Sequence, residues 1–240
     1  MLLLAACSRG EDSAERALTP TPTLFVATAT VPGISGPPQT PQASEPPRSR
    51  TRAEAFLRRI APTDADLPPG FAKPETAFKD GGQLAEGEPD PTTAKSRWDR
   101  SGLVLAYESG FESEAGGTSP ADGTVQTVTH TGYAFATPEG AAAWFDEAAG
   151  GLEPAIRALI DGQTGDIRAE QISDLTLGDE AVAWRVSRPS EAVGWVIAVR
   201  RGAGGFALAL DGTGPAVDRL ARDLATRLDQ RLAAAAGAWP

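Results

Sequence analysis

Hydrophobic positions in this chain follow two periods, one of helices and one of strands, and neither is present before about residue 50. Ala53, Phe56, Leu57 and Ile60 then recur at helical spacing until Pro62 stops the run. Thr51 with Glu54 three residues on fits a capping box, which places the helix start there. Leu67-Pro68-Pro69-Gly70-Phe71 predicts a rigid turn that lays Phe71 and Phe78 on the core. Between Lys79 and Lys95, Gly81-Gly82, Gly87, Pro89 and Pro91 interrupt every period, so a long surface loop is expected.

After Trp98 the period of two takes over. Leu103, Leu105 and Tyr107 alternate, and Val125 to Phe135 is Thr-rich and aromatic, so two strands are predicted with a polar hairpin loop over 112–123. Thr137-Pro138 opens a helix carrying Ala141, Trp144, Phe145 and Ala148 on one stripe, closed by Gly150-Gly151. Leu152, Ile156, Leu159 and Ile160 predict a second short helix. Ile172 to Leu177 reads as a strand leading into a Gly178-Asp179-Glu180 turn. Three more strands follow, on Val182/Trp184/Val186, on Val193/Trp195/Ile197/Val199 and on Phe206/Leu208/Leu210, as an antiparallel meander with one face of each strand buried. A final helix from about Pro215 to Leu232 sets Val217, Leu220, Leu224, Leu228 and Leu232 in a stripe. The expected fold class is α+β: a single antiparallel sheet with helices packed on it, spanning residues 50–236 and preceded by a disordered Thr/Pro-rich tether.

That tether, residues 8–49, is dominated by Thr, Pro, Ser, Ala and Gly, which favour extended chain over helix. Thirty residues of such chain at about 3.1 Å each would reach about 90 Å. Ahead of it stands MLLLAACS. Five apolar residues, Leu2 to Ala6, are too few to span a bilayer, which takes roughly 20. Leu4-Ala5-Ala6-Cys7 instead resembles the lipobox of bacterial lipoproteins. Residues 1–7 then read as the end of a signal peptide whose basic start lies upstream. The resemblance implies that Cys7 is the lipidation site and that acyl chains on it anchor the protein in a lipid bilayer.

Charge and chemistry narrow the rest. With 22 basic and 32 acidic side chains the formal charge is −10, which repels nucleic acid and anionic membrane alike and disfavours nucleic acid as a partner. One cysteine and one histidine exclude an internal disulfide and the usual thiolate/imidazole metal sites, and no cofactor is expected. His130 reads as a strand histidine with satisfied nitrogens, on the face opposite Thr129, Thr131 and Tyr133. No Gly-X-Ser-X-Gly elbow or phosphate loop is present, so no catalytic residue is assigned and the chain is not expected to be an enzyme. Glu86, Glu88 and Asp90 read as a solvated acidic loop rather than a cation site, as do the carboxylates of 161–166. Trp98, Trp144, Trp184 and Trp195 are the candidate ligand-binding residues, either as core or as the lining of a cleft for an apolar or sugar-like ligand. Trp98, beside Asp99-Arg100-Ser101, is expected to be partly exposed.

The lipobox, the stalk, Leu67-Pro68-Pro69-Gly70-Phe71, Tyr133-Ala134-Phe135, Leu177-Gly178-Asp179-Glu180-Ala181 and Val199-Arg200-Arg201-Gly202 together resemble bacterial lipoproteins with a small extracytoplasmic domain. The layout is similar to LpqN-type and PsbP-like proteins and to the sensor-like domain of mycobacterial receptor kinases. The resemblance implies a membrane-anchored module facing the periplasm or cell surface that binds or senses an envelope protein, lipid or glycan. A structural role in the envelope is the alternative, and a hydrolase would need a cleft where Ser, Asp or Glu converge, with or without His130.

Overall fold

A computed structural model of the chain describes residues 50–72, 74–113, 123–161, 168–188, 192–237 and 239; the signal segment, Cys7 and the tether lie outside them, as do 114–122 of the predicted hairpin loop and 162–167. In chain order come α1 (Arg50–Ile60), a 3-10 turn (Asp64–Asp66), β1 (Glu75–Lys79), α2 (Gly81–Ala85), α3 (Pro91–Arg100), β2 (Leu103–Glu112) and β3 (Thr124–Phe135). There follow α4 (Pro138–Asp161), β4 (Arg168–Gln171), β5 (Glu180–Ser187), β6 (Ala192–Arg201), β7 (Gly204–Thr213) and α5 (Pro215–Ala236).

The strands form a single antiparallel sheet in the order β1-β2-β3-β7-β6-β5-β4, the α+β arrangement read from the sequence. Two meanders, β1–β3 and β4–β7, meet where β3 pairs with β7. Helices take both faces, so the domain has three layers. α1 and α5 cover one face over Leu105, Phe111, Ile197, Phe206, Leu208 and Leu210. α4, with α2 and α3, covers the other over Ala106, Tyr133, Phe135, Val196 and Ala198. Strand β6 is therefore buried on both faces from Val193 to Val199, not on one as the alternation predicts. A register shift between Leu103 and Leu105 also turns Leu103 towards α4 while Leu105 and Tyr107 face α1.

Several element boundaries differ from the sequence reading, each for a local reason. The 79–95 stretch is not a loop. Asp80 caps α2, accepting from the Gln83 N–H at 2.9 Å, and Asp90 caps α3, accepting from the Thr93 N–H at 3.1 Å. Pro91 stands in the first turn of α3, where its missing N–H is no loss. Thr51 lies inside α1, and Glu54 accepts from Arg50 Nε at 3.1 Å instead of closing a capping box. α4 runs unbroken through Gly150-Gly151, because buried Leu152 and Ile156 continue the stripe of Ala141, Trp144 and Phe145; this burial offsets a cost of about 1 kcal/mol per glycine. The fourth strand is Arg168–Gln171, ahead of the predicted 172–177. Ile172, Leu175 and Leu177 instead run as irregular chain and pack on the α5 side, with Asp174 paired to Arg222 at 3.0 Å.

Gly204 and Gly205 lie between the two cores. A Cβ on Gly204 would lie 2.5 Å from Phe56 Cζ below the sheet, and one on Gly205 would lie 2.8 Å from Trp144 Cζ3 above it. Two adjacent glycines thus let a ring pack onto bare backbone from each side.

Candidate functional site

The aromatic residues singled out by the sequence divide between the two faces. Trp98 of α3 stacks on Tyr133 of β3, centroids 5.9 Å apart and planes 15° apart, and Tyr133 meets Trp144 of α4 at 4.6 Å. Phe135 closes the group, 5.6 Å from Trp144. Trp184 is half-buried and packs against the same cluster. Trp195 does not join them. It faces Arg185 across the β5–β6 ladder, whereas Trp184 faces Val196, so the one-residue offset sends the two indoles to opposite faces. On its own face Trp195 is 1% exposed; its Nε1–H donates to Asp218 at 2.7 Å, and Arg222 lies 5.3 Å from the ring centroid.

Trp98 is 7% exposed, not partly exposed as its polar neighbours suggested. The reason is α2, folded over it where a loop was expected: a Cβ on Gly81 would come within 2.8 Å of Trp98 Cβ. The Trp98 Nε1–H is buried without a hydrogen-bond partner among the described residues. Beside it, the Arg97 guanidinium lies 5.0 Å from the indole centroid, forms a close ion pair with Glu88 and reaches Glu147 of α4 at 3.3 Å. Burial holds the Glu88 carboxyl above its ordinary value, with Arg97 opposing that shift. Burial, with the Glu108 charge nearby, likewise raises the Tyr133 hydroxyl. Glu108 is itself paired with Lys79 at 2.5 Å. The arrangement is an aromatic stack with a ring of paired charges where α3, α4 and the sheet meet.

The Glu86-Gly87-Glu88-Pro89-Asp90 carboxylates do not converge. Glu88 is buried against Arg97, Asp90 is a helix cap and Glu86 is exposed, which corrects the reading of one solvated acidic loop. Among the described residues no three His, Cys, Asp or Glu side chains come together in a way that could hold a metal ion.

His130 lies on the α1 face, 0% exposed, opposite Ser109 in the β2–β3 ladder and 6.1 Å from the Phe206 ring. The strand placement and facing are as read, but the nitrogens are not satisfied: Nδ1, Nε2 and the Ser109 hydroxyl have no hydrogen-bond partner among the described residues. Burial, reinforced by the Arg231 charge, lowers the imidazole to about 3, so it is neutral at physiological pH. Arg231 in turn donates to Asp66 at 2.7 Å and to the Ala61 carbonyl at 2.8 Å. Burial works against ionisation of Asp66, but hydrogen bonds from Arg231 and Thr63 outweigh it and hold the carboxyl below its usual range.

Two stretches that carried the family resemblance dock on one another. The Gly178 N–H donates to Asp229 at 3.1 Å, and the Gly202 N–H donates to Asp179 at 2.8 Å. Arg200 pairs with Glu180 at 2.6 Å, and Arg201 with Asp229 at 3.1 Å. Gly178 has φ +61°, and a Cβ there would sit 2.3 Å from the Arg200 carbonyl. These residues therefore build a corner that ties β5, the β6–β7 turn and α5 together.

Sequence reasoning missed Trp239. Its indole is 3% exposed, stacks on Phe56 at 5.6 Å and donates to the carbonyls of Phe135 and Ala203 at 3.2 Å, so the folded unit runs beyond α5. Only its aromatic character, just after an Ala-rich helix end, could have signalled it. Arg97 was missed as well, because the segment around it gave no helical period.

No protein-family model matches this chain, and no curated protein does. Among solved structures the chain is similar to the extracellular domain of PknH from Mycobacterium tuberculosis, with 11% identity and a TM-score of 0.35, over 78% of this chain and 100% of that one. A likeness at that level carries no argument about function.

Proposed function

We propose that the chain is an extracytoplasmic lipoprotein, held in the membrane by acyl chains on Cys7, whose α+β domain binds a ligand or partner outside the cytoplasm. The observation that carries the anchor is positional: the chain's one cysteine follows Leu4-Ala5-Ala6, and a Pro/Thr-rich stretch separates it from the folded residues that begin at Arg50. A thioether-linked diacylglycerol supplies two chains at about 0.8 kcal/mol per buried CH₂, enough for stable attachment. The binding role is supported by the aromatic stack between α3, α4 and the sheet, with half-buried Trp184 beside it and Arg97 bridging Glu88 and Glu147. The stack itself is buried, so the part a ligand would meet is its edge, where half-buried Trp184 and Arg97 offer an aromatic and a charged group suited to apolar or sugar-like ligands.

Expression behind a complete signal peptide tests the anchor. Mature protein should partition into detergent and carry a diacylglycerol mass on Cys7, and Cys7→Ser should move it to the aqueous phase. An unmodified Cys7 would overturn the reading. For the binding role, titration with envelope lipids and glycans should shift tryptophan emission, and the shift should disappear in Trp184→Ala. A purely structural role in the envelope is favoured by the depth of Trp98, Trp144 and Trp195, each no more than 7% exposed. An unchanged spectrum across both ligand classes, with stable capture of an envelope protein, would decide for it.

A further inference from the structure

The two helical layers differ in charge as well as position. α1 carries four arginines and one glutamate, and its neighbour α5 carries four arginines and three aspartates, whereas α4 on the far face carries Glu139, Asp146, Glu147 and Glu153, beside an α3 with three basic residues and one aspartate. A chain of net charge −10 thus presents its basic side on the helix that directly follows the tether.

The geometry of α1 shapes that side. Ala53, Phe56, Leu57 and Ile60 face the core, which leaves Thr51 and Ala55 as the outermost line of the helix. Arg50 and Arg58 lie to one side of this line and Arg52 and Arg59 to the other, all four exposed. Arg50 shares its charge with Glu54, and Arg58 lies over the Phe78 ring at 4.8 Å. Small residues on the crest let the helix approach a flat surface closely, and arginines on both flanks can reach down to it.

We propose that this face of α1 docks on the anionic phospholipid surface of the membrane that holds the anchor, so that the domain lies with α1 against the bilayer and α4 turned outward. The inference rests on the anchored reading given above. Charge complementarity carries it. Each arginine near an anionic bilayer strengthens binding about fivefold, and four together reach only millimolar affinity. That is too weak to recruit a free protein. It suffices for a domain tied to the same bilayer by the 42 residues between Cys7 and Arg50, because a tether of that length keeps the domain at an effective concentration in the millimolar range. The acidic α4 face, repelled by the same surface, fixes which side points away.

The test uses the full chain, coupled chemically through its one cysteine to a maleimide lipid in vesicles, so it does not depend on whether the cell lipidates Cys7. Energy transfer from the domain tryptophans to a dansyl headgroup reports docking. Transfer should be high on phosphatidylcholine vesicles containing a third phosphatidylglycerol, and low on phosphatidylcholine alone. It should fall on the anionic vesicles in about 1 M salt, where the Debye length is about 3 Å. Arg52→Glu with Arg59→Glu should lower the docked-to-undocked ratio roughly twentyfold or more. Lys95→Glu with Arg100→Glu, the same change of charge on exposed residues of α3, should leave it unaltered. Equal transfer on neutral and anionic vesicles, or equal loss in both variants, would overturn the proposal. An unmodified Cys7 in cells together with normal docking here would sink the anchor alone.

Discussion

The layer of α1 and α5 and the layer of α2, α3 and α4 rest on the same seven strands, yet they are filled by different means. Below the sheet many aliphatic side chains surround five buried rings and enclose a neutral histidine, with arginine–aspartate pairs along the rim. Above the sheet a few large rings do most of the filling, and the ion pairs stand among them. An aliphatic layer spreads its stabilisation over many side chains, so its weak point is a polar group sealed inside. An aromatic layer concentrates stabilisation in a few rings, so its weak points are the rings themselves.

That contrast can be broken most sharply at Trp144. Trp144→Ala should destabilise the domain by about 3–5 kcal/mol, read from urea midpoints. A Leu224→Ala change in the opposite layer should cost less, about 2–4 kcal/mol, because neighbouring aliphatic chains can close part of the gap.

Acid separates the layers next. His130 has a folded value of about 3 against an ordinary 6.5, so the unfolded chain takes up a proton that the folded one refuses as the pH falls through that window. Its contribution is therefore absent above about pH 6.5. Below that it costs about 1.4 kcal/mol per pH unit, levelling off near pH 3. His130→Leu should flatten the slope of urea stability against pH between those limits and leave stability at pH 7 unchanged or raised by about 1 kcal/mol. An unaltered slope would show that the histidine is not sealed.

A smaller effect is expected at the rim. Asp218 accepts from Trp195 Nε1 at 2.7 Å and from Arg185 Nε at 2.8 Å, so Asp218→Ala should cost about 1–3 kcal/mol by stranding both donors. The smallest lies on the outer surface of α1, where Glu54→Ala should change thermal stability by no more than about 0.5 kcal/mol, since Arg50–Glu54 is an exposed i,i+4 pair.

Much of this architecture is legible in the sequence where one period runs long enough. The stripe of α5 and the alternation of β7 are set by burial, and burial repeats at fixed spacing. The segment of α2 and α3 is not legible, because its signals are caps. Asp80, Asp90 and Pro91 resemble loop residues until the helices they start are seen. The candidate site was half legible. Four tryptophans could be named, but a one-residue difference in register decides which face each occupies, and no local feature of β5 or β6 states the register. The charges around Trp98 were unreadable for the same kind of reason, since Arg97 meets Glu88 and Glu147 only after α3 has formed and docked on α4.

The pairing of β3 with β7 has a consequence for how the domain assembles. Each meander is closed by neighbouring strands, but the junction joins Thr124 to Thr213, 89 residues apart in the chain. Loop closure over that distance is slow relative to hairpin formation, so the seam is expected to form last. Until it does, β3 and β7 are edges rather than centre, each offering a row of unpaired N–H and C=O groups. Two partly folded copies could satisfy those rows with one another, β3 of one against β7 of the next, and exchange halves. In this domain the centre of the finished sheet is thus also the place where assembly is most exposed to error.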